Sequence, residues 1–310
     1  GLIDTGEFRV CIRAIDFDKS ACDNAYNSEA KQPEHIFINL LVEENRNLSD
    51  VDAAGTNNKS LENDNMKMAD TILVTGATGT LGSEVVKQLS GNRSDVKIKA
   101  AVHSIENARK VQYEKVEAIQ IGYDKPESLS SAFKGVDKLF LLTHPSPKIV
   151  EHESNLVNEA KKSGIRYIVK QSVIGADLNA DVDGMRLHRQ AEQIIEESRI
   201  SFTFLRPNEF MQNFVNFHSR SIKNNNVFYL PAQDAKVSIV DVRDIAAIAV
   251  KILTDDNTND IHNNKAYLIT GPEAISYHQA AEILTTATGK KIDYVSISDE
   301  EARRGMKYRV

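Results

Sequence analysis

The sequence predicts a doubly wound α/β fold, a parallel sheet covered by helices on both faces, with a smaller α/β lobe after it. Three observations predict this. Short apolar, β-branched runs alternate with amphipathic segments between residues 71 and 205. The first run, Thr71-Ile-Leu-Val-Thr75, passes into Gly76-Ala-Thr-Gly79-Thr-Leu-Gly82 and then into an amphipathic stretch. The strand runs are near-continuously apolar, as expected of strands buried on both faces and joined by right-handed crossovers.

Bulk properties narrow the class. At 310 residues, 41% apolar and 26% charged, the chain has the length and composition of a soluble globular protein with a sizeable core. Its net charge is −6 and it has no Lys/Arg run, so nucleic acid is not an expected partner. No stretch reaches the ~18 apolar residues of a membrane span, and no basic start precedes an apolar core. Cys11 and Cys22 have neither zinc-ligand spacing nor a disulfide framework around them. A reducing, cytoplasmic setting and the absence of a metal are therefore expected.

Three regions follow from composition. Residues 1–42 form an N-terminal extension with no assigned role; within it, 8–17 show partial strand alternation and 36–42 are apolar. Residues 43–67 are rich in Asn, Asp, Glu and Ser, and read as a flexible linker that buries too little apolar surface to offset its ordering entropy. Residues 68–310 carry the fold. The chain opens on Gly1, and Met68-Ala-Asp-Thr-Ile-Leu-Val74 makes a natural start.

Within that region, a strand at 71–75 leads through the glycines to a helix at 80–90, closed by Gly91-Asn92. A strand at 96–103 precedes a helix at 105–112. A strand at 116–121 leads through Gly122 to a helix opened by Pro126, the residue favoured in a first turn. A strand at 138–143 and a helix at 148–163 follow, with Gly164 stopping the helix. Next come a strand at 166–172, a helix at 185–198 and a strand at 201–205. Beyond Pro207 the pattern loosens: a helix over 208–224, a short strand at 237–240 and a helix at 242–253 behind Asp241. A strand at 265–270 ends at Gly271-Pro272. Ser276-Tyr-His-Gln279 reads as a capping box for a helix ending at Gly289, before a strand at 292–296 and the start of another helix.

A strand that ends in a glycine turn and opens a helix presents backbone N–H groups and a positive dipole end to an anion. Gly76, Gly79 and Gly82 let a pyrophosphate approach the backbone, and Thr78, Thr80 and Leu81 complete the loop. The spacing is G-x-x-G-x-x-G, a weak signal alone. Its place at the head of a βαβ unit makes it a dinucleotide cradle. Ligands in such sheets lie at the carboxyl ends of the strands, so the loops after Thr75, His103, Ile121, Thr143, Ser172 and Leu205 surround one site.

An NAD site places a carboxylate at the end of the second strand, on the ribose hydroxyls. Here that turn reads Ala101-Val-His-Ser-Ile-Glu-Asn-Ala-Arg-Lys110, without a carboxylate in the turn itself. His103, Ser104, Arg109 and Lys110 are placed to face a 2′-phosphate, which favours NADP(H) over NAD(H), although Glu106 opposes this and a solvated helix face explains Arg109 and Lys110 as well. Thr143 and His144 lie beside the nicotinamide by position, with loop punctuation as the equal alternative. Asn208, Phe210, Met211 and Phe214 line an apolar acceptor pocket, or else pack as helix core.

Four stretches in order, Thr75-Gly-Ala-Thr-Gly-Thr-Leu-Gly82, Thr203-Phe-Leu-Arg-Pro-Asn-Glu-Phe210, Val240-Asp-Val-Arg-Asp-Ile245 and Leu268-Ile-Thr-Gly-Pro-Glu273, together resemble the NmrA-like branch of atypical short-chain dehydrogenase/reductases. The resemblance spans residues 70–310. It implies a Rossmann-type fold and either of two activities: reduction of a quinone- or dye-like acceptor with NAD(P)H, or non-catalytic redox sensing through a regulatory protein partner. It also implies further residues beyond Val310. Ordinary short-chain dehydrogenases carry Tyr-x-x-x-Lys on the helix after the fifth strand, with Tyr as general acid and Lys lowering its pKa. That region here is Met185-Arg-Leu-His-Arg-Gln-Ala-Glu192, with neither residue. Ser172 is retained and is grouped with the cofactor-binding residues, whereas His188 reads as a surface residue and the catalytic residues are unassigned. Without the Tyr, carbinol–ketone interconversion is disfavoured, as is a sugar-nucleotide epimerase; an electrophilic acceptor can take its proton from solvent.

Two other patterns carry no chemistry. Asn179-x-Asp-x-Asp-Gly184 imitates the start of a calcium loop, but Gln190 stands where the closing Glu belongs. Asp241 and Asp244 are spaced as a helix cap and a first-turn charge.

Overall fold

The computed structural model describes residues 11–16, 69–91 and 96–307. The expected linker and most of the N-terminal extension lie outside the described residues. In chain order the elements are β1 (Cys11–Asp16), β2 (Thr71–Val74), α1 (Thr80–Gly91), β3 (Lys97–Val102), a 3₁₀ helix (Ile105–Val111), β4 (Val116–Gln120), α2 (Pro126–Phe133), β5 (Lys138–Leu141), α3 (Ile149–Lys162), β6 (Tyr167–Gln171), α4 (Asp183–Ser198) and β7 (Ser201–Pro207). A π-helical turn (Phe214–His218), α5 (Ser219–Asn225), β8 (Val227–Leu230), β9 (Lys236–Val237), α6 (Val242–Thr254), α7 (Thr258–Ile261), β10 (Lys265–Thr270), β11 (Ile275–Ser276), α8 (Tyr277–Thr288), β12 (Asp293–Ser296) and α9 (Asp299–Lys307) follow.

The main sheet runs β1, β10, β7, β6, β5, β2, β3, β4. All neighbours are parallel except β1, which pairs antiparallel with β10 and adds an edge strand from the extension. Order reverses between β2 and β5, which is the switch point of a Rossmann-type sheet. Side-chain alternation splits the strands between two cores. Ile72, Val74, Phe140, Tyr167 and Val169 face α1 and α6, packing with Val85, Ile245 and Leu253. Leu73, Leu139, Leu141, Ile168 and Phe204 face α2, α3 and α4, packing with Phe133, Leu156 and Ile195. Burial on both faces is why these strands read as continuous apolar runs.

The lobe is built on two short sheets, β11 with β9 and β12 with β8, over a core of Phe228, Tyr277, Ile292 and Tyr294. The capping box forms as expected: Gln279 N donates to Ser276 Oγ, Ser276 N donates to Gln279 Oε1, and Gly289 ends α8 in the left-handed region at φ +69°. The expected strand at 237–240 is reduced to β9 and an isolated bridge at Val240, and a second expectation fails outright. Residues 208–224 are not a single helix; an irregular stretch leads to the π-helical turn and then to α5. Asn208 N bonds to Ile269 O, Met211 N to Val240 O, and Phe210 bridges to Val240, so extended pairing with the main sheet competes with helix at the start of the segment.

Candidate functional site

The glycine loop is closed by its own backbone. Gly76 has φ +61°, a conformation that L side chains rarely adopt, and Gly79 N donates to Gly76 O at 2.9 Å. A Cβ on Gly82 would lie 2.1 Å from Gly76 O, so the first turn of α1 rests directly on the loop. The first bond of the helix ladder is Ser83 N to Gly79 O, which leaves the N–H groups of Thr80, Leu81 and Gly82 without partners within the helix. No acidic residue stands in that turn. Gly79 and Thr80 are exposed at its tip. A small cradle with amides left open by the helix and no carboxylate in its first turn fits a pyrophosphate.

Thr75 locks the loop across the switch point. Its Oγ1 donates to Leu142 O and accepts from Leu142 N, both at 2.9 Å, where the backbone ladder between β2 and β5 ends. One residue on, Thr143 is buried, and its hydroxyl donates to Glu153 Oε1 at 2.8 Å. Glu153, on α3, forms an ion pair with Lys170 of β6, whose Nζ lies 2.8 Å from Oε1 and 2.6 Å from Oε2; both residues are fully buried. Only the Oε1 contact is aligned as a hydrogen bond. Tyr123, after β4, is buried with its hydroxyl at the Gly76 backbone; burial and the Glu153 charge push its pKa up to about 12. Its ring meets that of His103 edge-on at 4.9 Å.

A second buried cluster supports the ends of β6 and β7. Ser172 Oγ donates to Glu192 Oε1 at 2.7 Å, and Arg206 holds the same carboxylate through Nε at 2.9 Å and through Nη2 at 2.5 Å. Arg189 joins it at 3.2 Å. His188, one turn before Glu192, is buried, and the expectation of a surface residue is corrected. Burial and then the nearby Lys170 charge push its pKa down to about 3.

Residues 208–218 cross the same edge and, besides the backbone bonds of Asn208, Glu209 and Met211, are pinned by three side-chain ties. Tyr277 Oη donates to Glu209, and burial followed by that bond pushes the Tyr277 pKa up. Gln212 donates to Asp241 Oδ1 at 2.9 Å and accepts from Val242 N at 3.1 Å. Asn216 Nδ2 donates to Thr80 Oγ1 at 3.0 Å, tying the segment to the glycine loop. Phe210 packs on the main core and Phe214 on the lobe core, edge-on to Phe228 at 5.3 Å. Met211, Val215 and Phe217 remain exposed, at 37%, 68% and 55%.

The sequence candidates therefore gather on one edge, but their surroundings differ. Thr143 is buried, while His144 is exposed beside it. His103 is exposed; Ser104 is half-buried and accepts from Asn107 Nδ2 at 3.1 Å. Asn208 Oδ1 accepts from Glu209 N at 2.9 Å. Asp241 caps α6 by accepting from Arg243 N at 2.8 Å; burial pushes its carboxyl up, and the bonds from Arg243 and Gln212 outweigh this and hold it low. Among the described residues no group of His, Cys, Asp and Glu is arranged to hold a metal, and no helix is long and apolar enough to cross a membrane. Sequence reasoning missed Tyr123, the Glu153–Lys170 pair and the exposed Val215 and Phe217. The available signal was Lys170, a charge inside a strand buried on both faces. A surface hollow of about 550 Å³ between α8 and β12, lined by residues such as His278, Glu282 and Lys291, holds none of the site residues.

Comparisons with known proteins show what the chain is similar to. The sequence model of the NmrA-like family matches residues 68–308. An NAD(P)H azoreductase of Xenophilus azovorans is 37% identical over 235 residues, covering 76% of this chain and 80% of the relative. The structure of Citrobacter sp. triphenylmethane reductase complexed with NADP(H) superposes with a TM-score of 0.67 at 27% identity, over 78% of this chain and 84% of that one. The NADPH complex of a quinone oxidoreductase from Escherichia coli does so with a TM-score of 0.66 at 27% identity, over 74% and 80%.

Proposed function

The chain belongs to the NmrA-like family, and on that premise we propose that it is an NAD(P)H-dependent oxidoreductase passing hydride to a quinone- or dye-like aromatic acceptor. The observation that carries this reading is the Asn216–Thr80 hydrogen bond, which sets an exposed apolar segment beside the loop suited to a pyrophosphate. An acceptor lying against Met211, Val215 and Phe217 is then within reach of a nicotinamide at the strand ends.

In this reading Gly76, Thr78, Gly79, Thr80, Leu81 and Gly82 hold the diphosphate through backbone N–H groups and the α1 dipole. His103 and Ser104, with Arg109 and Lys110 exposed on the 3₁₀ helix, receive the adenosine ribose and a 2′-phosphate, which favours NADP(H) over NAD(H). Thr143, donating its own proton to Glu153, offers oxygen lone pairs to a donor such as the carboxamide; His144 closes the rim. Ser172 acts from below, through Glu192, rather than on the ligand. Asn208, Phe210, Met211 and Phe214 form the base of the acceptor pocket. When bound, the dihydronicotinamide supplies the hydride.

Residues 183–192 contain neither Tyr nor Lys, so no Tyr-x-x-x-Lys pair protonates the product from α4. Electrophilic aromatic acceptors suit such a site because their proton can come from water. The rival expectation, a non-catalytic regulator with a protein partner, gains no support from these relatives.

Titrating the full chain with NADPH and NADH, and then adding quinones and azo or triphenylmethane dyes in the same tube, tests the reading. Tighter binding of NADPH with oxidation on adding acceptor is expected. Bound cofactor with no turnover across the panel would overturn it.

A further inference from the structure

His188 is a buried group near the site that the reductase reading leaves unused. It is 9% exposed, and its Nδ1 is buried without a hydrogen-bond partner. Buried polar atoms are paired in the great majority of cases, so an orphaned one calls for an explanation.

Its position supplies one. α4 follows β6 in a parallel crossover, so the helix starts at the carboxyl edge of the sheet and descends. Glu192 receives Ser172, the residue directly after β6, and so lies level with the strand end. His188 is four residues earlier on the same helix face, about 6 Å nearer the helix start. That places the imidazole just beyond the strand ends, at the depth where a ligand sits.

The charges around it fix its chemistry. Lys170 of β6, paired with Glu153 of α3, lies close enough to oppose a second proton on the ring; Arg189 and Glu192 flank it on α4 itself. Nδ1 meets no acceptor that could receive a proton, so the neutral ring is more stable with that nitrogen bare. The single proton accordingly resides on Nε2.

We propose that His188 is a catalytic residue, a neutral imidazole that directs its Nε2–H at the acceptor oxygen or nitrogen on which charge develops as hydride arrives. It keeps its proton throughout. The acceptor gains the hydride, the dihydronicotinamide is oxidised, and the balancing proton is taken from water. A preset neutral donor of this kind stabilises developing charge without needing to be recharged between turnovers. The inference rests on the reductase reading.

Nitrogen NMR of the full chain with labelled histidine tests it without turnover, the Gln variant H188Q supplying the assignment. The expected spectrum has a bare Nδ1 and a protonated Nε2 that do not titrate between pH 5 and 8. Duroquinone added without any nicotinamide should shift the Nε2–H signal. A proton on Nδ1, a titration inside that window or a signal indifferent to duroquinone would overturn the proposal. In kinetics, His188→Ala should lower kcat by about 10- to 100-fold, with the NADPH Kd unchanged and the loss largest for the least electrophilic acceptors. His188→Gln, which keeps an N–H donor, should recover part of it. Loss of stability in both variants with kcat intact would reduce His188 to a packing residue. Failure of the wild-type chain to bind NADPH would instead remove the reductase reading and leave the tautomer result standing.

Discussion

Gly82→Ala puts the close approach of α1 to the glycine loop under direct test. A methyl group there would lie 2.1 Å from Gly76 O and 2.7 Å from Gly76 C, whereas ordinary contact begins at 3.4 Å. Backbone lies on both sides, so no side chain can swing away, and the helix start must retreat by about 1.3 Å. Overpacking of this kind costs about 1–3 kcal/mol. With about half of that loss falling on the geometry of the N–H groups at Thr80, Leu81 and Gly82, the dinucleotide Kd should rise by about 2- to 10-fold. Gly91→Ala is the control: its Cβ would meet nothing within 4 Å, and the change should be neutral or stabilise by up to about 1 kcal/mol. The chain has no Trp, so the fluorescence of bound NADPH reads the titration without an indole background. Thermal unfolding run alongside separates lost binding from lost fold. A Gly82→Ala protein that binds NADPH and melts like the wild type would refute the reasoning.

Three further outcomes are expected. Because the folded-state pKa of His188 is depressed to about 3 from 6.5, the unfolded chain binds the extra proton between those values. Stability should therefore rise with pH across that window, with a slope from this group approaching about 1.4 kcal/mol per pH unit, and level off above pH 6.5; His188→Gln should remove that slope in urea titrations at stepped pH. Asn216→Ala removes the tie to Thr80 Oγ1 and should raise the acceptor KM by about 2- to 10-fold while leaving the NADPH Kd near its original value; a double-mutant cycle with Thr80→Ala showing pure additivity would count against the tie. Glu153→Gln strands the buried Lys170 charge and should destabilise by about 3–5 kcal/mol in denaturant unfolding. Adding Lys170→Met to it should restore much of that loss.

What could be read from the sequence was what local chemistry determines. The glycine turn, the Pro126 helix start, the Ser276–Gln279 capping box and the alternation of strands and helices are each written within a few residues. The features missed depend on partners distant in the chain. β8 exists because Val227–Leu230 pairs with β12, more than sixty residues on. The 208–224 segment has helical residues, but its first part is drawn to Ile269 and Val240. His188 reads as exposed on a polar helix, yet α4 turns that face to β6 so that Glu192 can meet Ser172 and Arg206. Lys170 looks like a ladder position until Glu153 of α3 is found beside it.

Thr75 binds the start of the glycine loop to residues 140–142, and Thr143 binds that stretch in turn to Glu153 and Lys170. The two sides of the cleft are thus fastened very differently. One is a single interlocked piece in which nearly every change disturbs several bonds at once. The other, residues 208–218, is held by backbone bonds at Asn208, Glu209 and Met211 and by three separate side-chain ties, and it leaves Met211, Val215 and Phe217 exposed. On the proposed function, substitutions at those three exposed side chains would change the acceptor surface while leaving the bonds of the interlocked side in place.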